Sequence, residues 1–324
     1  MTDRRFTPVT GTQMPRYAGA ATLMRLPLVL PGSSDWDDVQ IGLFGIPWDG
    51  GTTNRPGERQ GPRQVRDAST MVRNVNRATG VNPFALCRCA DLGDSPVNPA
   101  DLADSMLRIE RFVDDICTSG IVPIFVGGDH LSTLPVMRAI SKHVGPVGMV
   151  HIDAHTDSWD SYFDGQKYTH GTPFRRAIEE GILDPKRTVQ IGIRGALYAD
   201  GDDCWGRDQG IRVIDFDEYK RLGVEQVLRE TRARVGSQAT YVSFDIDVLD
   251  PAYAPGTGTP EIGGMTTFEA QCLVRGLEGI TCVGADVVEV SPPFDTSGNT
   301  ALAAATLMFE ILCVAAGTVS KANR

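Results

Sequence analysis

Short runs of β-branched and apolar residues recur along the 324-residue chain, and each is followed by a stretch whose apolar positions fall at helical spacing. The runs at 39–46 (VQIGLFGI), 86–91, 121–127 (IVPIFVG), 147–152 (VGMVHI), 188–193 (TVQIGI), 211–215, 240–245 (TYVSFD) and 281–288 (TCVGADVV) predict eight strands. Between them, 62–73, 100–118, 131–142, 173–181, 202–209, 224–234, 267–276 and 300–316 read as helices. Thr172 is expected to cap one helix, with Pro173 at its first position, and Asn98-Pro99-Ala100-Asp101 to open another. Regular alternation of strand and helix predicts an α/β fold of three layers, α-β-α, around an eight-stranded, mostly parallel sheet.

No linker, composition break or internal repeat divides this alternation. One catalytic domain is therefore expected over 38–320, preceded by a proline-containing arm over 1–37. Two loops are unusually long and glycine-rich, 47–61 (PWDGGTTNRPGERQG) and 251–266 (PAYAPGTGTPEIGGMT), and each begins just after a predicted strand. Ligands of parallel α/β sheets sit outside the carboxyl ends of the strands, so these loops are candidate walls of a site.

Composition narrows the partners. A formal charge of -10 and a pI near 5.0 disfavour a surface built to neutralise phosphates, so nucleic acid is not an expected partner. The start, Met1-Thr2-Asp3-Arg4-Arg5-Phe6, has no apolar signal core behind its arginines, and no later stretch reads as a membrane span. A cytoplasmic location without a membrane partner is the expectation. The seven cysteines are an odd number without a C-x-x-C pair, which points to reduced and mostly buried thiols.

The chemistry gathers where strands end. All five histidines lie between His130 and His170. Gly127-Gly128-Asp129-His130 follows the third strand, Asp153-Ala154-His155-Thr156-Asp157 the fourth, and Asp245-Ile246-Asp247 the seventh. A lone D-x-D is more often a turn or a helix cap, and GGDH alone could be a tight turn with a capping aspartate. Three potential ligands at alternate positions of an extended D-A-H-T-D are harder to dismiss. Crowded carboxylates would repel and raise one another's pKa values, and two divalent cations would resolve that conflict. Oxygen donors with two imidazoles suit manganese, with nickel, iron and cobalt left open. Two such metals roughly 3.5–4 Å apart can hold and acidify a bridging water, the expected nucleophile.

The motifs GGDH (127–130), DAHTD (153–157), HGTPF (170–174), SFDIDVLDP (243–251), GTGTPEIGG (256–264) and EVSPPFD (289–295) together resemble the ureohydrolase family of arginases, agmatinases and guanidino-acid hydrolases, over nearly the whole chain. The resemblance implies an arginase-like fold and a two-metal hydrolase that releases urea from a small guanidino compound. It implies that His130, Asp153, Asp157 and Asp245 hold one manganese and Asp153, His155, Asp245 and Asp247 the other, with Asp153 and Asp245 bridging. It also implies that Glu289 clamps the guanidinium and that His170 moves a proton, with Asp157 counted beside them as catalytic. A homo-trimer or homo-hexamer is the implied assembly. His143 and His151 keep a surface and a packing role.

The arm at 14–27 and the loop at 45–66 look most like the guanidinopropionase and guanidinobutyrase branch, so 3-guanidinopropionate or 4-guanidinobutyrate is the leading substrate. Arg16, Arg55, Arg73 or Arg77 could meet its carboxylate. Trp159 stands where the family commonly has a small polar residue, and a bulky indole there would shorten or reshape the substrate pocket. A shorter substrate, free guanidine or an N-alkylated guanidine, is thus an alternative unless Trp159 packs away from the pocket; agmatine is a separate alternative. A two-metal phosphoesterase lacks its motifs here. A non-catalytic subunit of a hetero-oligomer would usually have lost ligands that this chain retains.

Overall fold

The computed structural model describes residues 3–322. Eight strands form one parallel sheet: β1 Ile41–Ile46, β2 Cys89–Asp94, β3 Val122–Gly127, β4 Val147–Ile152, β5 Leu183–Ile193, β6 Arg212–Asp215, β7 Ala239–Asp245 and β8 Thr281–Val288. Their order across the sheet is β2-β1-β3-β8-β7-β4-β5-β6. Every residue of β1 and β4 is buried, as expected for strands covered on both faces. The helices are α1 Gly61–Ala68, α2 Pro83–Leu86, α3 Leu102–Thr118, α4 Thr133–Val144, α5 Pro173–Glu179, α6 Cys204–Gln209, α7 Phe216–Leu222, α8 Val224–Val235, α9 Thr267–Arg275 and α10 Asn299–Ala322. They divide between two apolar layers: Val150, Val242 and Ala285 face α8, α9 and α10, while Phe125, Met149 and Tyr241 face α3 and α4.

The arm is threaded into this core. Phe6 and Leu23 are buried, Leu23 N donates to Asp91 Oδ2 at 2.7 Å, and Met24 N donates to Ser69 Oγ at 2.7 Å.

Several local expectations are corrected. Strand β2 starts at Cys89 rather than at residue 86, because Asn82 caps the one-turn α2 by accepting from Ala85 N. Helix α7 was not foreseen; Asp215 ends β6 and caps it by accepting from Glu218 N. Asp101 is the residue that caps α3. Thr172 makes no capping bond to α5. Its hydroxyl donates instead to Lys167 O and Thr169 O, and so shapes the turn that carries His170. Helix α10 does have the length and apolarity of a membrane span, with hydropathy 2.0 over its best window, but 78% of that window is buried in the protein. It is the central helix of one layer. The seven cysteines are free thiols, of which Cys204 is exposed.

Candidate metal centre and active site

The strand order assembles what the sequence scatters. Strands β3, β8, β7 and β4 are consecutive neighbours at the middle of the sheet, and their carboxyl ends deliver His130, Glu289, Asp245 and Asp153 to one rim. The approach of the β1 loop to this rim depends on glycine: a Cβ on Gly128 would lie 1.5 Å from Trp48 O. Asp129 then fastens the loop, its Oδ2 accepting from Gly51 N at 2.6 Å and its Oδ1 from Leu131 N at 3.1 Å. The turn role weighed for GGDH thus belongs to Asp129, while His130 points into the site.

His130 Nδ1 lies 2.8 Å from Asp157 Oδ2, 3.0 Å from Asp245 Oδ2 and 3.2 Å from Asp153 Oδ2. It is buried and makes no directed hydrogen bond to any of them. Four donor atoms converging on one buried point without hydrogen-bond geometry fit a cation. A second group adjoins the first: His155 Nδ1 is 3.0 Å from Asp247 Oδ2 and 3.6 Å from Asp153 Oδ1. Asp153 therefore faces both imidazoles, one oxygen to each. Asp245 Oδ1 accepts from Asp247 N at 2.8 Å, so its other oxygen alone turns to His130.

The electrostatics show the same convergence. Burial, then Asp247 and Asp153, push Asp245 well above the usual carboxylate range. Burial works against charge on His130, yet Asp153, Asp157 and Asp245 together hold its pKa well above that of a free imidazole. So many buried acids beside two histidines make a site whose charge is balanced best by cations.

Residues behind the cluster were not foreseen. His130 Nε2 is 2.8 Å from Ser243 Oγ, which donates to Asp286 Oδ1 at 2.8 Å. Asp286 also accepts from Tyr241 OH and Thr133 Oγ1. Such a chain fixes the tautomer and direction of a metal-ligating ring. His151, expected only to pack, lies with Nε2 2.7 Å from Asp153 Oδ2 and its other nitrogen 3.1 Å from Gln190 Nε2. The period-2 spacing from Asp153 put it on the same face and was the available signal. His143 pairs with Asp114 at the surface, at 2.8 Å. Arg194 reaches the carbonyls of Asp247, Val248 and Glu261 and so ties the 251–266 loop to the end of β7.

Glu289 and His170 meet beside the cluster. His170 Nδ1 is 3.0 Å from Glu289 Oε1, and Thr53 Oγ1 is 2.7 Å from His170 Nε2. Thr53 N donates to the same Nε2 at 3.2 Å, which assigns the proton to Nδ1 in the neutral ring. Burial disfavours the charged imidazole, but Glu289 outweighs it and raises His170 to about 9. Glu289 and Asp157 both have positive φ, 64° and 48°, a strained backbone of the kind found at functional sites. Trp159 is half-buried and packs with Tyr162 and Tyr198, ring centroids 6.0 and 6.1 Å away. Of the nominated arginines, Arg55 stacks on Phe294 at 4.0 Å, close to the Glu289 segment, whereas Arg73 and Arg77 line a cavity with Gln271 and Glu310 on the α9–α10 side.

A parallel eight-stranded sheet with this Asp and His rim defines an arginase-type protein, and residues 39–314 match the arginase family model: the chain belongs to the arginase family. It is 58% identical over 314 residues to guanidinopropionase of Pseudomonas aeruginosa, covering 97% of each chain. It is 48% identical to guanidinobutyrase of the same organism, covering 97% of this chain and 98% of that one. Among solved structures, proclavaminate amidinohydrolase of Streptomyces clavuligerus superposes with a TM-score of 0.89 at 38% identity, over 94% of this chain and 99% of that one.

Proposed function

We propose that this protein hydrolyses the guanidinium group of a small guanidino acid, 3-guanidinopropionate first and 4-guanidinobutyrate second, to urea and an amine. The observation that carries it is the pairing of Glu289 and His170 at the edge of the His130–Asp153–His155 cluster. Two relatives of high identity, named for these two substrates, support the choice.

His130, Asp153, Asp157 and Asp245 would hold one divalent ion and Asp153, His155, Asp245 and Asp247 the second, with manganese or nickel as the metal. When bound, the two ions offset the carboxylate charge and acidify a shared water. Glu289 Oε1 is already taken by His130 N at 2.7 Å and by His170, so Oε2, buried and without a partner, is the oxygen that receives the guanidinium. That contact orients the planar cation over the rim. His170, held by Glu289 at Nδ1 and by Thr53 at Nε2, would pass a proton to the departing amine, which is too basic to leave as an anion. Arg55, stacked on Phe294 near the Glu289 segment, is the arginine proposed to meet a substrate carboxylate.

One observation favours a second reading. The cluster of Trp159, Tyr162 and Tyr198 offers aromatic faces to an alkylated or free guanidine. By contrast, all six proposed ligands are present and converge, which speaks for a catalytic rather than a supporting subunit. A cytoplasmic homo-trimer or homo-hexamer is the proposed form.

A urea-release assay with manganese- and nickel-loaded protein, on 3-guanidinopropionate, 4-guanidinobutyrate, agmatine, arginine, guanidine and N,N-dimethylguanidine, tests the assignment. Highest kcat/KM on a guanidino acid supports it. A clear preference for guanidine or its dimethyl derivative would transfer it to the second reading.

A further inference from the structure

The loop after β1 carries a carboxylate that the chemistry described so far does not use. Glu58 is fully buried. Its Oε2 accepts from Gly57 N at 2.9 Å and is 3.3 Å from Thr52 Oγ1, but its Oε1 has no partner. Glu289 Oε2 is likewise buried and unpartnered. The two free oxygens flank one bare backbone position: a Cβ on Gly258 would lie 2.8 Å from Glu58 Oε1 and 3.4 Å from Glu289 Oε2. Glycine thus keeps open the space between them. The loop is pinned there, since Asn54 Nδ2 donates to Gly258 O at 2.9 Å and a Cβ on Gly57 would meet Pro293 and Ser291 of the segment following Glu289.

We propose that Glu58 is a second guanidinium-binding residue, and that Glu58 Oε1 and Glu289 Oε2 form a split clamp, one oxygen from each, on the substrate cation. A guanidinium offers several coplanar N–H donors and is held best by two acceptors. Glu289 cannot supply both, because its Oε1 already receives His130 N and His170. Two buried acceptor oxygens without a protein partner are costly unless a ligand or water meets them. Burial, and then the charge of Glu289, raise Glu58 to about 8, in keeping with two acids that face each other.

The ligand in this proposal rests on the guanidine-hydrolase reading, so binding is measured apart from turnover. Metal-loaded wild type and Glu58→Gln are titrated calorimetrically with guanidinium chloride and with urea, its neutral planar isostere. The clamp predicts that Glu58→Gln weakens guanidinium binding roughly tenfold or more, leaves urea binding unchanged, retains its metal and melts no lower than wild type. With a guanidino-acid substrate, KM rises more than kcat falls, and Glu58→Asp recovers part of the loss. Unchanged guanidinium affinity overturns the proposal, and so does equal weakening of guanidinium and urea, or a fall in melting temperature with loss of metal, either of which would mark a structural residue. Guanidinium binding that depends on Glu58 in a protein that releases no urea from any substrate would uphold the clamp and overturn the hydrolase reading.

Discussion

Asp153 is the residue on which the proposed centre turns, because its two oxygens face two different imidazoles. Asp153→Asn is expected to lose metal from both positions and to lower activity by at least about a hundredfold, the scale of losing a ligand together with the group it orients. Metal analysis beside a urea assay checks both; full metal occupancy would misplace the site. Ser243→Ala keeps every proposed ligand but removes the partner of His130 Nε2, and metal affinity should fall about 10–100-fold, read by competition with a chelator. His170 gives a pH test. Its pKa in the folded protein, about 9, is above that of a free imidazole. The stability its ion pair with Glu289 contributes is therefore complete below the unfolded value, about 6.5, and is lost as pH rises through about 9. In metal-stripped protein, the melting-temperature gap between wild type and His170→Asn should shrink from pH 6.5 to pH 9.5. A constant gap would contradict the pairing.

At the scale of elements, apolar runs bounded by glycine and charge placed seven of the eight strands to within about three residues, since burial on both faces leaves a continuous signal, while β5 begins at Leu183, well before the predicted 188, across a partly exposed stretch with no such signal. Short helices were less legible. Helix α7 rests on a capping aspartate at the end of a strand, and its seven residues give too few turns for a period. Strand order was not legible at all: β3 and β8 are neighbours although Ile124 and its partner Ala285 stand 161 positions apart, and only packing decides that. Hence the motifs of the proposed site could be read, whereas Asp286, Ser243 and Glu58, whose meaning depends on which strands and loops adjoin, could not. The same packing buries α10 against β8, α9 and α1. Leu312→Ala, in the layer against β8, should cost about 2–5 kcal/mol of unfolding free energy, measured by denaturant titration. A cost near zero would mean that the helix does not carry this layer.

For the molecule as a whole, the central four strands carry the proposed ligands and the two long loops border the same rim. That division fits a reaction easier to assign than the substrate: the residues proposed to react stand at strand ends, while Arg55, Glu58 and Trp159, proposed to meet the substrate, stand on loops. Assembly is tested by light scattering, which should give three or six times the 35.0 kDa chain mass; a monomer would refute the proposed oligomer. The most direct test of the central claim is product analysis with 3-guanidinopropionate. Metal-loaded wild-type protein should release urea and the amine in equal amounts, and Asp153→Asn at matched concentration should release neither. Absence of urea from the fully loaded wild type, or equal release by the variant, would contradict the account.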